Sequence, residues 1–283
     1  MENKETKQKS VLITGTSSGI GLATAEKLAK EGYLVFAGIR KKNDKIKVEK
    51  LHKNIRGVYL DVTNQGSIDK AFWYVIKQTD RLDALINNAG AAYAGPLEFM
   101  PIESIKEQFN INTFGALAVA QKFMPFLRHG RIINISSMAS TGLFPFIAPY
   151  CASKRALDIL FNSLFIENKD DITVISIKPD VIKTPIWKRA KEIYQKCFEN
   201  VPESQREKYE KETLMLQKQA TDNENKGISV DDVASTVLKA LKDKHPKTSY
   251  FVGIKSLWAE LYSKLPQKIV NSGVRKLLAQ RLK

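Results

Sequence analysis

A serine, a tyrosine and a lysine between Ser136 and Lys154 have the types and the spacing that acid–base chemistry requires. The stretch reads SSMASTGLFPFIAPYCASK and contains Ser137, Tyr150 and, four residues later, Lys154. A free phenol has a pKa of about 10, and a lysine ammonium beside it favours the phenolate and lowers that pKa. We therefore expect Tyr150 to give and take a proton, while Ser137 holds the substrate oxygen and shares its developing charge.

The elements around these residues must bring the three side chains together. An apolar run, Arg131 to Ile135, precedes Ser137 and predicts a strand that ends there. Tyr150 and Lys154 are spaced i and i+4, so they share one face of the helix that is predicted to follow. A tyrosine four residues before a lysine is common by chance, and an ordinary helix with a surface lysine explains the pair more simply. The case for chemistry therefore depends on the rest of the chain.

A strand, a glycine-rich turn and a helix are predicted at the start of the chain. Val11 to Thr14 is a short apolar run, and GTSSGIG at 15–21 leads from it into a helical pattern. In such a unit Gly15 permits a tight turn, Gly19 lets the backbone approach a pyrophosphate, and Gly21 lets helix and strand pack closely. Free N–H groups at the helix start then bind the phosphates. The arrangement predicts a dinucleotide site.

The end of the second predicted strand, Tyr33 to Ile39, indicates which dinucleotide binds. An acidic residue there would bind the ribose 2′-hydroxyl of NAD, but the chain continues as Arg40-Lys41-Lys42. Arg40 is placed to pair bidentately with a 2′-phosphate, and Ser18 in the turn can donate a further hydrogen bond. We therefore predict NADP(H) in preference to NAD(H). The alternative is that Arg40 only begins a solvated basic loop.

Alternating strand and helix patterns predict a Rossmann-like, doubly wound parallel α/β sheet of about seven strands, flanked by helices in a single domain. Further strands are expected at 58–60, 84–86, 172–177 and 249–252. Asp61, after the third strand, either accepts a hydrogen bond from the adenine amino group or caps the next helix. Asn112 lies in a helix predicted over 102–127 and is out of pattern for a buried face. It is either a functional residue or a core asparagine whose hydrogen bonds are satisfied.

Composition divides the chain into a leader, one domain and a tail. Residues 1–9 are polar and lack the apolar segment of a signal peptide, so we expect a disordered leader there. Residues 10–254 form the predicted dinucleotide-binding and catalytic domain, in which the charged segment 185–226 interrupts the alternation, as a lid or substrate loop does. The basic, amphipathic tail over 255–283 lies on an anionic membrane surface, closes over the site or contacts another subunit.

The overall composition limits the classes of function. The chain has 283 residues, a net charge of +15 and two cysteines, and its lysines are spread along its whole length. Spread lysines are typical of a basic surface rather than of a nucleic-acid site, and two cysteines exclude a disulfide framework and a four-cysteine zinc site. No run of eighteen apolar residues is present, so we expect no membrane-spanning helix. We expect a cytoplasmic protein, peripheral to a membrane at most, that binds neither metal nor nucleic acid.

Five motifs, in order, resemble those of the short-chain dehydrogenase/reductases, in their compact single-domain branch. They are TGTSSGIG at 14–21, NNAG at 87–90, NTFG with Asn112, Ser137, and YCASK at 150–154. The resemblance spans almost the whole chain and implies that Tyr150 is the catalytic acid/base and that Ser137 positions the substrate oxygen. It also implies that Lys154 binds the nicotinamide ribose and lowers the tyrosine pKa. Asn112 is implied to hold a water in a proton relay.

The resemblance extends to the cofactor and the substrate. The chain departs from the family at Asp180, where glycine is usual, so the backbone of the expected nicotinamide loop is a point to test. The expected cofactor-binding residues are Gly15, Ser17, Ser18, Gly19, Ile20, Gly21, Arg40, Asp61, Val62, Asn88, Ala89, Gly90, Tyr150, Lys154, Pro179, Ile182 and Thr184. The expected substrate residues are Ser137, Met138, Leu143, Tyr150 and Trp187.

The strand end VFAGIR, YCASK and the tail look similar to the 17β-hydroxysteroid and retinol dehydrogenase-like groups, which implies hydrophobic alcohols or ketones.

These observations predict an NADP(H)-dependent oxidoreductase that interconverts a hydrophobic alcohol and its ketone or aldehyde, on a steroid-, retinoid- or lipid-like molecule. The cofactor carries the hydride chemistry, Tyr150 handles the proton, and the family resemblance favours carbonyl reduction by a homodimer or homotetramer. One alternative is a redox-sensing regulatory protein that binds NADP(H) without turnover, although such a protein does not need Tyr150 with Lys154. An epimerase or dehydratase is expected to need a larger C-terminal substrate domain.

Overall fold

Seven apolar runs pair side by side as parallel strands of one sheet in the computed structural model. The strands are β1 (Ser10–Ile13), β2 (Leu34–Ile39), β3 (Ile55–Tyr59), β4 (Ala84–Asn87), β5 (Gly130–Ile135), β6 (Ile172–Pro179) and β7 (Ser249–Val252). Their order across the sheet is β3-β2-β1-β4-β5-β6-β7. This is the predicted Rossmann-like doubly wound sheet, so the prediction of fold class is confirmed.

Ten helices are named within the described residues, and most of them cover the two faces of the sheet. They are α1 (Gly19–Lys30), α2 (Lys42–Glu49), α3 (Gln65–Ile76), α4 (Ile102–Phe109), α5 (Gly115–Phe123), α6 (Ala148–Glu167), α7 (Ile186–Glu199), α8 (Val230–Lys242), α9 (Ile254–Ser263) and α10 (Gln267–Arg281). The last two form the tail, and Pro266 lies between them. No helix in the described part of the chain is long and apolar enough to cross a membrane.

The hydrophobic core has two halves, one on each face of the sheet. Because successive side chains of a strand point to opposite faces, Ile13 of β1 packs in one half with residues of α1 and α8, whereas Leu12 packs in the other with residues of α3, α5 and α6. Phe36 and Phe161 are fully buried in the second half. Complete burial of such a side chain contributes about 1.5–3 kcal/mol, so both faces hold the strand ends in fixed positions.

The long helix predicted over 102–127 is interrupted. Helix α4 ends at Phe109, a π-helical turn covers Asn110–Phe114, and α5 follows. The π turn inserts an extra residue into the helix and re-aims its side chains, a feature that often marks functional sites. After α5 the chain passes through a 3-10 turn, Met124–Phe126.

Helix α2 was not predicted at all, because its sequence KNDKIKVE shows almost no apolar periodicity. Only Val48 is buried in it. Local polar contacts support the helix instead: Lys45 and Glu49 pair at i,i+4 with 3.8 Å between Nζ and Oε1, and Glu49 Oε1 accepts from the Gly57 N–H at 3.0 Å. Lys42 therefore begins a helix, not the solvated loop considered for this segment.

The structure describes residues 8–127, 129–168, 171–184, 186–207, 209–210 and 227–281, with the side chains of 187–191 and 281 left out. The predicted leader over 1–9 lies largely outside these ranges. So does the second half of the segment 185–226, whose assignment as a lid stays a prediction.

Candidate active site

A cleft of about 1260 Å³ lies at the carboxyl ends of the strands, where the strand order reverses between β1 and β4. In open parallel sheets this reversal is the place where ligands bind. Pockets for one small molecule usually measure roughly 300–1,000 Å³, so this cleft has room for a dinucleotide and a second molecule. Its walls come from the segments that follow β1 to β6 and from the tail helices.

The glycine-rich turn between β1 and α1 occupies backbone positions that require glycine. Gly15 has a φ of +70°, and a Cβ atom there would lie 2.8 Å from the Cα atom of Ala89. Gly19 also lies in the left-handed region, with a φ of +59°. At Gly21 a Cβ atom would lie 2.4 Å from Nδ2 of Asn88. Gly15 and Gly19 line the cleft, but Gly21 does not; its place is in the packing of α1 against the segment after β4.

Asn88 fixes the turn to the neighbouring strand end. Its Nδ2 donates to the carbonyl oxygens of Thr14 at 2.9 Å and Gly15 at 2.8 Å. The hydroxyl of Thr14 in turn accepts from the N–H groups of Asn88 at 3.0 Å and Ala89 at 2.9 Å. These four bonds join the ends of β1 and β4 across the reversal and form the floor of the cleft.

The start of α1 fits the pyrophosphate of a dinucleotide. Ser18 is the N-cap residue, and its side chain makes no capping hydrogen bond. The N–H groups of the first helical turn are therefore available to an anion, which the helix dipole also attracts. Ser17, Ser18 and Ile20 line the cleft beside the glycines. A nicotinamide dinucleotide therefore fits this end of the site.

Arg40 and Asp61 line the cleft at the ends of β2 and β3. Asp61 Oδ1 accepts from the N–H and the hydroxyl of Thr63, at 3.0 and 2.7 Å. Burial acts to raise the pKa of Asp61, but the Thr63 hydrogen bonds and the Arg40 charge hold that pKa below its usual value. Asn64 caps α3 instead, because its side chain accepts from the Ser67 N–H. The alternative in which Asp61 caps this helix is therefore wrong.

A second basic side chain beside the turn, Lys47, escaped the sequence analysis. Its Nζ atom donates to the carbonyl oxygen of Ser17 at 3.3 Å. Lys47 is carried by α2, whose polar sequence gave no sign of a helix, so nothing indicated that this lysine returns to the glycine-rich turn. Lys47 does not line the cleft itself, but it adds a positive charge to the back of the turn that contributes Ser17 and Ser18 to the cleft.

Ser137, Tyr150 and Lys154 come together beyond the carboxyl end of β5. The Ser137 hydroxyl lies close enough to the Tyr150 phenol to act on its pKa, which it lowers. Helix α6 carries Tyr150 in its first turn and Lys154 one turn later, and both are buried. Nζ of Lys154 donates to the carbonyl oxygen of Ile135 at 2.8 Å, which fixes the amine against the strand end. All three residues line the cleft.

The pKa of Tyr150 is shifted in the direction opposite to the one expected. Burial raises it to about 12, and the neighbouring Ser137 hydroxyl offsets that rise only in part. Burial also lowers the pKa of Lys154 to about 8, against the opposing charge of Asp158. The expectation of a tyrosine with a lowered pKa is therefore wrong for this structure, because loss of solvation raises the pKa of the phenol and Lys154 is not among the groups that lower it. At neutral pH Tyr150 is a protonated phenol.

Asp158, one turn after Lys154 on α6, is a buried carboxylate that the sequence analysis missed. Its Oδ2 accepts from the Ser140 hydroxyl at 2.7 Å, and its Oδ1 from the Ser176 hydroxyl at 3.0 Å. Nζ of Lys178 lies 3.4 Å from Oδ2. In the sequence, an aspartate four residues after a lysine is typical of a surface pair on a helix, so only the structure identifies it as buried.

Asn112 lies in the π turn, and its side chain forms hydrogen bonds to Ala91 and Ser153. Oδ1 accepts from the Ala91 N–H at 2.8 Å, and Nδ2 donates to the Ala91 carbonyl at 2.8 Å and to the Ser153 hydroxyl at 3.0 Å. Thr113 donates to the Ser153 carbonyl at 2.9 Å. The side chain is thus a core asparagine that joins the segment after β4 to α6. It does not line the cleft, and its role in a proton relay stays a prediction.

The loop after β6 accommodates Asp180 without strain. Its N–H donates to the Val252 carbonyl at 2.8 Å, and its Oδ1 accepts from the N–H of the next residue at 2.6 Å. Among the described residues other than glycine, only His129 and Phe146 have a positive φ, so this loop does not require glycine at 180. Three predicted cofactor residues of the loop line the cleft: Pro179, Ile182 and Thr184.

Apolar side chains form the remaining walls of the cleft. Every predicted cofactor-binding residue except Gly21 lines the cleft, and so does every predicted substrate residue except Trp187, whose side chain lies outside the described residues. Phe144 and Tyr194 add to these walls. The tail contributes a larger set, which the sequence analysis assigned to no site: Trp258, Leu261, Tyr262, Leu265, Val274, Leu277 and Leu278. The tail was expected to lie on a membrane, to close over the site or to contact another subunit. In the structure it contacts the cleft.

Comparison with known proteins agrees with this geometry. The family model for the short chain dehydrogenase matches residues 9–195. The NADPH-dependent 3-dehydrocapnine reductase of Ornithobacterium rhinotracheale is 33% identical over 257 residues, which cover 87% of this chain and 88% of the relative. The 3-ketodihydrosphingosine reductase of Bacteroides thetaiotaomicron is 30% identical over 279 residues, which cover 96% of this chain and 98% of the relative.

A solved structure is similar in fold. The short chain dehydrogenase/reductase of Burkholderia phymatum in complex with NAD has a TM-score of 0.77 and 20% identity, over 90% of this chain and 92% of that one. The family match and the reductases of similar length confirm the resemblance found in the sequence, whereas the 17β-hydroxysteroid and retinol subgroup stays a prediction. The protein is an oxidoreductase of the short-chain dehydrogenase/reductase family, whose fold binds a nicotinamide cofactor.

Proposed function

We propose that this protein is an NADP(H)-dependent reductase that converts a hydrophobic ketone or aldehyde into its alcohol. The observation that carries the proposal is the buried phenol of Tyr150, which lines a largely apolar cleft together with Ser137 and lies one helical turn from Lys154. A protonated phenol suits reduction, because a carbonyl oxygen that gains electrons needs a proton donor.

The chain's own residues handle the oxygen of the substrate. The bound cofactor supplies the hydride. In the proposal the Ser137 hydroxyl donates to the carbonyl oxygen and stabilises its developing negative charge, and Tyr150 transfers its proton to that oxygen. The low polarity around Tyr150 strengthens both interactions. The positioning of donors in a buried site costs no reorganisation when charge develops.

Lys154 is proposed to bind the cofactor and to support the proton transfer. One of its N–H groups is used by the Ile135 carbonyl, which leaves two donors. A Cβ atom at Gly90 would lie 3.6 Å from Nζ, so the absence of a side chain at Gly90 keeps space beside the amine. That space is where the ribose of the nicotinamide is proposed to bind.

The choice of NADP(H) is supported by the charges at the far end of the cleft. Arg40 lines the cleft, Lys47 lies beside the glycine-rich turn, and Ser18 has a hydroxyl that no capping bond uses. A 2′-phosphate would meet both charges. The relative named as NADPH-dependent favours the same choice, whereas the structure solved with NAD is similar at the level of fold only.

A steroid-, retinoid- or lipid-like carbonyl is the proposed substrate class. The walls formed by Met138, Leu143, Phe144 and the tail are mostly apolar, and Ser137 and Tyr150 are the polar side chains proposed to contact the carbonyl oxygen of the substrate. Both relatives are named as reductases, one of them of a ketodihydrosphingosine. The segment 185–226 remains the proposed lid, and Tyr194 of α7 lines the cleft from within it.

The quaternary structure and location are also proposed. A homodimer or homotetramer is supported by large apolar side chains exposed on α4, the π turn and α6: Ile102, Phe114, Ile159 and Ile166. A cytoplasmic location, with contact between the tail and a membrane surface, completes the proposal.

The test is a screen of NADPH consumption with ketones and aldehydes graded by chain length and apolarity. We expect turnover that increases with apolar length and that depends on Tyr150. If the protein binds NADPH but consumes it with none of the carbonyls, the regulatory alternative is favoured. Consumption restricted to small polar carbonyls would contradict the proposed substrate class.

A further inference from the structure

The tail exposes an apolar surface that its own packing does not explain. Within α9, α10 and their connection, the exposed large apolar side chains include Ile254, Leu257, Trp258, Leu261, Leu265 and Ile269, here named the tail face. Only Ser256 and Val270 are buried among the described residues of the two helices. Soluble monomers rarely expose contiguous apolar patches larger than a few hundred Å², so a partner for the tail face is expected.

The same helices carry a strong positive charge. Five basic side chains between 254 and 280 are exposed: Lys255, Lys264, Lys268, Arg275 and Lys276. The sequence of this segment contains a single acid, Glu260, and its Oε2 lies 3.7 Å from Nζ of Lys178 in the domain. The tail therefore combines exposed apolar side chains with five exposed cations and one acid.

The tail face is continuous with the interior of the cleft. Trp258, Leu261 and Leu265 are exposed to solvent and also line the cleft beside the candidate active site. An apolar molecule that reaches the tail face would therefore also contact side chains that form the wall of the cleft.

We infer that the tail docks on an anionic bilayer surface and that the cleft takes its carbonyl substrate directly from the lipid phase. The inference rests on the proposed function, since it names the source of the substrate. Amphipathic helices with an apolar face and basic flanks bury the apolar face at the headgroup boundary and are attracted by anionic lipids. Trp258 is suited to this boundary, where indole rings concentrate.

A second copy of the chain is the main rival occupant of the tail face. In a twofold contact through this face, each copy would bring its five cations towards the five of its partner. Like charges across an interface are strongly unfavourable, and the single acid of the segment already faces Lys178. Charge complementarity therefore favours an anionic bilayer over a copy of the chain.

The experiment is co-sedimentation of the full chain with vesicles of phosphatidylcholine alone and with vesicles that also contain phosphatidylglycerol. We expect binding to the mixed vesicles at low salt and its loss at high salt. The double variant Lys264→Glu/Lys268→Glu should weaken that binding by about tenfold or more, because each lysine near an anionic surface contributes about 1 kcal/mol. Neither lysine lines the cleft, so reduction of a small soluble ketone should not change.

A pair of tryptophan variants tests the apolar contact. Trp258 and Trp73 are similarly exposed, at 66% and 58%, but Trp73 lies on α3, away from the tail. Trp258→Ala should weaken binding to the mixed vesicles, whereas Trp73→Ala should not. Equal effects of the two variants, or binding that neither salt nor the charge reversal weakens, would overturn the inference.

The outcomes separate this inference from the proposed function. Vesicle binding without reduction of any ketone would contradict the proposed function alone. Reduction of a small soluble ketone without vesicle binding would overturn the docking inference alone. A tail-dependent dimer that ignores anionic vesicles would also overturn it and would assign the tail face to a second copy. If docking is correct, a long-chain ketone embedded in mixed vesicles should be reduced faster by the native chain than by the Lys264→Glu/Lys268→Glu variant.

Discussion

Asp158 and Lys178 form a buried ion pair beneath the candidate active site, with 3.4 Å between Oδ2 and Nζ. Asp158 also accepts a hydrogen bond from Ser140, in the short turn that follows Ser137. Lys178 lies 3.7 Å from Glu260 of the tail. One carboxylate therefore connects the Ser137 turn and the helix of Lys154 to strand β6, and Lys178 extends the connection to the tail.

The first prediction concerns pH. The pKa of Lys154 is lowered to about 8 by burial, and the charge of Asp158 opposes this lowering. The reductase rate should therefore fall as pH rises through about 8, where the ammonium is lost, while Tyr150, with a pKa of about 12, stays protonated. In Asp158→Asn the opposing charge is absent, so the pKa of Lys154 decreases and the fall should move to lower pH. The measurement is the pH profile of kcat for native protein and variant.

Stability must be measured beside that profile. Loss of one partner of a buried ion pair costs about 3–5 kcal/mol, so Asp158→Asn should also unfold at a lower urea concentration. Glu260→Gln is the matched control, because it alters the same network at Lys178 and not the charge beside Lys154. If kcat of folded Asp158→Asn falls at the same pH as kcat of the native protein, the proposed electrostatic coupling between Asp158 and Lys154 is contradicted.

The second prediction concerns the glycine-rich turn. Gly15→Ala should destabilise the protein and weaken cofactor binding, because a Cβ atom would lie 2.8 Å from Ala89 in addition to the strain of a positive φ. Gly32→Ala provides the control: its φ is +89°, but a Cβ atom there meets nothing within 4 Å. That variant should lose only the conformational term, about 1–2 kcal/mol, and keep its cofactor affinity. Equal losses of affinity in both variants would refute a specific role for the close approach at Gly15.

The sequence predicted the sheet well because its strands are short, continuous apolar runs buried on both faces. The spacing of four residues also placed Tyr150 and Lys154 on one face of a helix, whereas the bonds of Asn88 to the glycine-rich turn were found only in the structure. It failed at α2, where the helix is stabilised by local polar contacts instead of an apolar stripe. The amphipathic pattern of the tail was visible, but a pattern does not say against which surface a helix packs.

The electrostatics of the site could not be predicted from sequence. The pKa of Tyr150 depends on how completely the phenol is buried, which is a property of the whole packing and not of the spacing to Lys154. Asp158 and Lys178 are twenty residues apart and meet only because α6 packs against β6. Asn112 was singled out as out of pattern, and the structure supplies the reason in its bonds to Ala91 and Ser153.

The third prediction concerns the choice of cofactor. A charge-assisted contact to a phosphate contributes about 1.5–3 kcal/mol, so Arg40→Ala should lower kcat/KM for NADPH by roughly ten- to hundredfold and leave NADH almost unchanged. Lys41→Ala is the control, because this exposed neighbour does not line the cleft. Native protein should prefer NADPH by about tenfold or more. Equal use of both cofactors would indicate that Arg40 does not contact the 2′-phosphate.

An aspartate at position 39 should reverse the preference, since it can bind the ribose hydroxyl of NADH and repel the phosphate of NADPH. Ile39 lines the cleft but is almost fully buried, so Ile39→Asp should also lose stability. Affinities for both cofactors must therefore be measured on the folded variant. A folded variant that retains the native preference would contradict this account of selectivity.

The central claim is that the buried phenol of Tyr150 is the proton donor, and Tyr150→Phe tests it most directly. The variant keeps the ring and its burial but loses the hydroxyl, so NADPH affinity should stay close to native. The decisive measurement is NADPH consumption with an apolar ketone at saturating cofactor. Loss of a general acid typically costs 10²–10⁴-fold in rate, and we predict a decrease of that order in kcat. A folded Tyr150→Phe variant that binds NADPH and keeps most of its kcat would contradict the claim.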